Sequence, residues 1–247
     1  MIKNQTAVIT GCNRGIGLSI LNKFAKEGYE IICCNRTIDN NFKQHCKLLE
    51  KEFKIKIYLY KINFEDLNET KSISKDILAN HKNINTLVNN AGYLKQSIFE
   101  MIRYEDLKKT FDINLFNQLI FTQNLIKILK KTENSNIIFI SSTSGFESNI
   151  GRSVYSMSKI SLISITKNLS QELSRYKIRV NCVAPGMVST DMMFDNTPKN
   201  IIEENLKRVP LNRLGTPDEI SNVVFFLSSD NSSYINGQTL RVDGGMT

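Results

Sequence analysis

The 247-residue chain is predicted to be an α/β domain of the doubly wound class, a parallel sheet with helices on both faces. Two observations predict it. Short β-branched runs alternate with longer amphipathic segments along the whole chain. A glycine-rich loop, "TGCNRGIG" (10–17), joins the first strand-like run to the first helix-like one. No linker, repeat or low-complexity stretch interrupts the alternation, so a single domain spans 1–247.

The elements follow in order. "TAVIT" (6–10) reads as a buried strand. Ile16, Ile20, Leu21, Phe24 and Ala25 then fall at helical spacing, and Gly28 sits where that helix ends. "YEIICC" (29–34) is the second strand, followed by a helical pattern to about Phe53. "KIYLYKI" (56–62) is the third, and a helix from about Asp66 leads to "INTLVNN" (84–90). One long helix is expected over roughly 104–131, then a strand at "NIIFIS" (136–141). A helix over about 153–175 precedes the strand "KIRVNCVA" (177–184). Helices near 199–207 and 217–229 precede "QTLRV" (238–242). The segment 191–210, with Met192, Met193 and Phe194, reads as a lid whose apolar residues suit an apolar substrate chain.

Composition excludes several classes. The net charge is +8, but the basic residues are scattered along helices, and no nucleic-acid-binding motif is visible. The five cysteines (Cys12, Cys33, Cys34, Cys46 and Cys182) include no C-x-x-C and lack the spacing of a zinc site. Cys33 and Cys34 are adjacent on a strand and should point to opposite faces. Free thiols are expected, as in a reducing compartment. No signal peptide or membrane-length apolar run is seen, so the expectation is a cytoplasmic protein with no membrane or nucleic-acid partner.

The glycine loop has a physical task. Gly11, Gly15 and Gly17 are spaced G-x-x-x-G-x-G, which allows a tight turn and brings backbone N–H groups close to a pyrophosphate at a helix N-terminus. Arg36 lies 19 residues after Gly17, at the end of strand two, where a dinucleotide fold meets the adenosine ribose. A carboxylate there would favour NAD; this chain has Asn35 and Arg36 instead, with Arg14 in the loop as a second guanidinium. Planar, charge-assisted donors suit a 2′-phosphate, so the expected cofactor is NADP(H).

"YSMSK" (155–159) places Tyr155 and Lys159 at i and i+4 on one helix face. A nearby ammonium favours the phenolate, so Lys159 is expected to lower the Tyr155 pKa. Ser142, thirteen residues before Tyr155, sits at the end of strand five. With these motifs in register, the chain resembles the short-chain dehydrogenase/reductase family. The resemblance rests on "TGCNRGIG" (10–17), "NNAG" (89–92), Asn114, "ISS" (140–142), "YSMSK" (155–159), "PGMVSTDM" (185–192) and "GGM" (244–246). It implies a Rossmann-type domain with seven parallel strands, a homotetramer, and hydride transfer between a nicotinamide and a carbonyl or alcohol carbon.

The resemblance also implies roles. Tyr155 would be the proton donor or acceptor, Lys159 would hold the nicotinamide ribose, Ser142 would polarise the carbonyl, and Asn114 would hold a relay water. Gly11, Asn13, Arg14, Gly15, Ile16 and Gly17 would form the cofactor loop, with Asn35 and Arg36 beside it. Asn63 and Phe64 would contact adenine, and Asn90, Ala91 and Gly92 would line the adenosine side. Pro185, Gly186, Val188 and Thr190 would cradle the nicotinamide. Within the family the chain looks most like the 3-oxoacyl-acyl-carrier-protein reductases, which receive an acidic carrier protein on a basic surface. Arg175, Lys177, Lys130 and Lys131 are candidates for that contact by charge. Arg152, three residues before Tyr155, is unexpected there; it would meet an anionic substrate group or pair with Glu147. The alternatives are a reductase of a sugar or other small ketone, and a non-catalytic dinucleotide-binding protein.

Overall fold

The computed structural model describes residues 5–246; the outermost domain bounds, 1 and 247, lie outside them. All seven strands join one parallel sheet in the order β3-β2-β1-β4-β5-β6-β7. They are β1 (Thr6–Thr10), β2 (Glu30–Asn35), β3 (Ile57–Lys61), β4 (Thr86–Asn89), β5 (Asn136–Ile140), β6 (Arg179–Pro185) and β7 (Thr239–Val242). The order reverses between β1 and β4, and that switch point opens a crevice beyond the carboxyl ends of the strands.

Helices α1 (Gly15–Lys26) and α2 (Asn40–Phe53) pack on one face with α9 (Pro217–Ser228); α3 (Leu67–Asn80), α5 (Asn117–Leu129) and α6 (Ser153–Ser174) pack on the other. Two apolar cores result, one per face. Ile9, Ile31 and Cys33 point into the first, and Val8, Ile32 and Cys34 into the second, as the two-residue period of a strand requires. The adjacent cysteines therefore do face opposite ways. All five cysteines are buried and unpaired by disulfide. The first core is anchored by Phe24, Tyr29 and Phe225, whose rings meet edge to face.

Helix ends follow local chemistry. Asp39 caps α2 by accepting from the Phe42 N–H at 2.8 Å, and Asp66 caps α3 through the N–H groups of Asn68 and Glu69. Thr216 and Glu219 form a reciprocal capping box on α9, with Pro217 as its first residue.

The helix expected over 104–131 is not continuous. It divides into α4 (Tyr104–Phe111), a wide π turn over Asp112–Phe116, and α5. Polar side chains hold the distortion. Asn114 is fully buried; its amide accepts from the Tyr93 N–H at 2.7 Å and donates to the Tyr93 carbonyl and the Ser158 hydroxyl. Gln118 donates to the Ile113 carbonyl at 2.9 Å and also to the Ala91 carbonyl. Such π turns concentrate at functional sites. The 191–210 segment forms two short helices, α7 (Asp191–Asn196) and α8 (Lys199–Leu206).

Candidate active site

A cleft of about 660 Å³ runs across the carboxyl ends of the strands. The turns after six of the strands, β1 to β6, contribute to its wall. One end is the glycine loop. Gly11 and Gly15 have φ of +66° and +56°, which an L side chain resists. Gly17 is more demanding: a Cβ there would stand 2.0 Å from the Gly11 carbonyl oxygen. A Cβ on Gly11 would stand 2.9 Å from the Ala91 Cα. The α1 N-terminus has no side-chain cap and no acid in its first turn, so its N–H groups face the cleft unclaimed.

Neighbouring residues brace this loop. Asn90 donates to the carbonyls of Thr10 and Gly11 at 2.9 Å each, and the Thr10 hydroxyl accepts from the Asn90 and Ala91 N–H groups. Asn35 does not face the cleft: it is buried, accepts from the Cys12 N–H at 2.7 Å and donates to the Cys12 sulfur. Its part is to hold the loop, because an amide offers both donor and acceptor to a buried turn. Arg14 and Arg36, in contrast, are exposed, line the cleft and make no ion pair among the described residues. A loop stripped of side-chain volume, an uncapped helix N-terminus and two available guanidinium groups fit a dinucleotide with a 2′-phosphate.

Further along, Asn63 and Phe64 line the wall, but the Phe64 ring is buried edge-on against Phe121. Only the Phe64 backbone is available to a ligand, since its ring belongs to the core. Pro185, Gly186, Val188 and Thr190 line the other end. Gly186 has no room for a side chain, since a Cβ would lie 2.6 Å from that of Asp243.

Ser142, Tyr155 and Lys159 converge on the cleft floor. The Ser142 hydroxyl accepts from the Ser144 N–H at 3.1 Å, which aims it, and it is close enough to the Tyr155 phenol to favour its ionised form. Lys159 is buried and donates to the Ile140 carbonyl at 2.8 Å; its Nζ lies 5.6 Å from the Tyr155 ring centre. The Ser141 hydroxyl ties the Lys159 carbonyl to β5 at 2.7 Å. Burial brings the Lys159 ammonium down to about 8. Burial also holds the Tyr155 phenol above its ordinary value, against opposing pulls from Ser142 and then Arg152. This direction is opposite to the expected lowering by Lys159. Desolvation dominates, and the ammonium is turned to a carbonyl rather than to the phenol oxygen.

The protonation states make a testable pH profile. A lysine depressed in the fold is neutral between about pH 8 and its ordinary range, while the unfolded chain stays charged there. Its burial cost is therefore full below pH 8 and is relieved as pH rises. The ammonium is lost over the same range. The kcat/KM of the free enzyme should fall as pH rises through about 8, with the phenol still protonated. A profile flat to pH 10, the ordinary tyrosine range, would contradict this.

Asn114 lies behind Tyr93 and does not line the cleft. It is near the floor, because a Cβ on Gly92 would sit 3.6 Å from the Lys159 Nζ and 3.9 Å from the Asn114 side-chain Oδ1. Arg152 does line the cleft, and it does not pair with Glu147. Glu147 instead meets Arg241 at 2.7 Å and Arg208 at 4.0 Å. Met192 and Met193 of α7 line the cleft, whereas Phe194 is 53% exposed and does not. Lys130 and Arg175 both sit over the Tyr176 ring. They lie at the amino ends of β5 and β6, opposite the cleft, because each helix returns the chain to that edge. Sequence reasoning missed Thr10, Gln118 and Ser158. Their signal, polar side chains inside apolar elements, does not say what they brace.

Comparison with known proteins follows this geometry. A family model described as enoyl-(acyl carrier protein) reductase matches residues 11–247. The chain is 33% identical over 99% of its length to a 3-oxoacyl-[acyl-carrier-protein] reductase of Thermotoga maritima, 98% of which is covered. The corresponding reductase of Chlamydia trachomatis is 34% identical over 100% of this chain and 98% of its own. Among solved structures, a short-chain dehydrogenase/reductase from Serratia marcescens superposes with a TM-score of 0.90 at 25% identity, over 99% of this chain and 98% of that one. A short-chain dehydrogenase from Burkholderia cenocepacia, solved in complex with NADP, has the same fold, with a TM-score of 0.90 at 24% identity over 98% and 97%. From its glycine loop to its tyrosine and lysine, this chain belongs to the short-chain dehydrogenase/reductase family.

Proposed function

We propose that the protein is an NADPH-dependent ketoreductase acting on a 3-oxoacyl thioester carried by an acyl carrier protein. The observation that carries the reading is the Tyr155–Ser142 pair on the floor of a cleft whose far end holds the glycine cradle, Arg14 and Arg36. Similarity to full-length 3-oxoacyl-acyl-carrier-protein reductases supports the substrate class. Gly11, Asn13, Gly15, Ile16 and Gly17 would bind the pyrophosphate region, Arg14 and Arg36 the 2′-phosphate, and Pro185, Gly186, Val188 and Thr190 the nicotinamide end. NADPH, when bound, supplies the hydride. Tyr155 gives its phenol proton to the carbonyl oxygen, Ser142 orients that oxygen, and Lys159 holds positive charge beneath the pair. Asn114 fixes the backbone at Tyr93. A domain spanning the chain, with α7 and α8 as lid, a homotetrameric assembly and a cytoplasmic setting complete the reading. Among the described residues no helix is long and apolar enough to cross a membrane.

NADPH oxidation with an acetoacetyl thioester tests the reading, run against a crotonyl thioester and a keto-sugar. Preferred reduction of the acetoacetyl compound is expected. Preference for the crotonyl thioester would replace this reading with double-bond reduction, and preference for the keto-sugar with a small-ketone reductase.

The Arg36→Asp variant should lose NADPH affinity relative to NADH. A guanidinium–phosphate contact is worth about 1.5–3 kcal/mol, so the preference should move roughly 10- to 150-fold. Fluorescence titration with both dinucleotides measures it.

A further inference from the structure

We propose that Arg152 is an anion-recognition residue, and that the same site reduces short free 3-oxo carboxylates by holding their carboxylate. The inference rests on the ketoreductase reading above and adds a second substrate class to it.

Arg152 precedes α6 directly and stands three residues before Tyr155, so the two side chains share one side of the helix start. Its guanidinium is only partly exposed and lines the cleft. One donor is used: Nη2 gives a hydrogen bond to the Thr197 hydroxyl in the lid at 2.8 Å. That partner is neutral. The nearest acid in sequence, Glu147, is taken by Arg241 and Arg208. Asp191 and Asp195 line the cleft too, yet neither forms an ion pair with Arg152. Among the described residues the cation therefore has no carboxylate partner. A partly desolvated guanidinium with several unused donors is costly unless a ligand supplies the counter-charge. Burial indeed disfavours its charge.

The position selects the ligand. An anion held here lies beside the carbonyl that Tyr155 and Ser142 grip, so it must sit within a few bonds of the reacting carbon. In a 3-oxoacyl compound the acyl carbon is two bonds from that carbon. In the thioester it is neutral; in the free acid it is a carboxylate, which matches the planar fork of arginine. The phosphate of a long carrier arm would lie too far away. The reaction balances as carbonyl reduction: one hydride from NADPH forms the C3–H bond, the C=O π bond becomes O–H with the Tyr155 proton, and NADPH becomes NADP⁺.

The test uses the full-length enzyme with acetoacetate. Calorimetric titration of acetoacetate into enzyme saturated with NADP⁺ reads binding without turnover, and NADPH oxidation reads kcat/KM against the acetoacetyl thioester. Wild type should bind and reduce acetoacetate. Arg152→Gln should lower the acetoacetate-to-thioester ratio of kcat/KM on the order of 10- to 100-fold, mainly through KM, and weaken acetoacetate binding similarly. Arg152→Lys should recover part of both. NADPH binding by each variant reports that it is folded. Absence of acetoacetate binding in wild type, or a ratio moved less than about threefold in Arg152→Gln, overturns the proposal. Thioester reduction without acetoacetate binding removes this inference alone, whereas loss of both reductions removes the ketoreductase reading as well.

Discussion

The Tyr155→Phe enzyme should bind NADPH and fail to use it. General acid catalysis by a positioned side chain contributes about 10²–10⁴-fold, and kcat/KM should fall by that amount. In the proposed reaction the phenol hydroxyl is the proton source, set close to Ser142 on the cleft floor. Burial keeps it protonated at neutral pH, the form that reduction needs. The hydroxyl is also the only atom removed. The ring stays in place, and the Ser142 hydroxyl keeps its bond from the Ser144 N–H. Collapse of the cleft is therefore not expected, and a thermal melt within about 1 °C of wild type would confirm that the loss is chemical. Activity within threefold of wild type would remove Tyr155 as the acid, whatever the fold.

Gly17→Ala should act on the other end of the cleft by a different route. Its Cβ would stand 2.0 Å from the Gly11 carbonyl oxygen and 2.5 Å from the Asn90 amide nitrogen. Both obstacles belong to one braced unit, since the Asn90 amide donates to that same carbonyl. Neither can move without opening the loop. Overpacking of this kind costs about 1–3 kcal/mol, and each kcal/mol lowers Tm by about 2–4 °C for a chain of this size. The shifted loop would also withdraw its N–H groups from the pyrophosphate, so NADPH affinity should fall more than tenfold, about 1.4 kcal/mol. Gly28→Ala is the control. Gly28 has φ of +84° with nothing within 4 Å of a Cβ, so it should lose some stability and no cofactor affinity. If Gly17→Ala bound NADPH as wild type does, the loop would not be the cradle described.

Much of the molecule could be read before any coordinates. Strands, helices and their alternation followed from side-chain period, because a parallel sheet covered on both faces must be apolar on both. The opposite-facing Cys33 and Cys34 followed from the same period. The glycine loop and the Tyr155–Lys159 spacing were legible because each is a local geometric demand written within eight residues. The π turn was not. The pattern over 104–131 is helical throughout, and it is the contacts of Asn114 with Tyr93 and Ser158, and of Gln118 with Ile113 and Ala91, that hold the distortion.

The sequence by itself determined the fold class, the position of the glycine loop and the Tyr155–Lys159 pair of the floor. Those are short-range properties of periodicity and spacing. Tertiary structure alone decided what each polar side chain is free to do. It turned Asn35 onto the loop, buried the Phe64 ring and assigned Glu147 to Arg241. It aimed Lys159 at a carbonyl, raised the Tyr155 phenol and left Arg152 without an acid. The physical reason is that desolvation and hydrogen-bond satisfaction depend on which groups meet across the sheet, and those partners lie tens of residues apart in the chain.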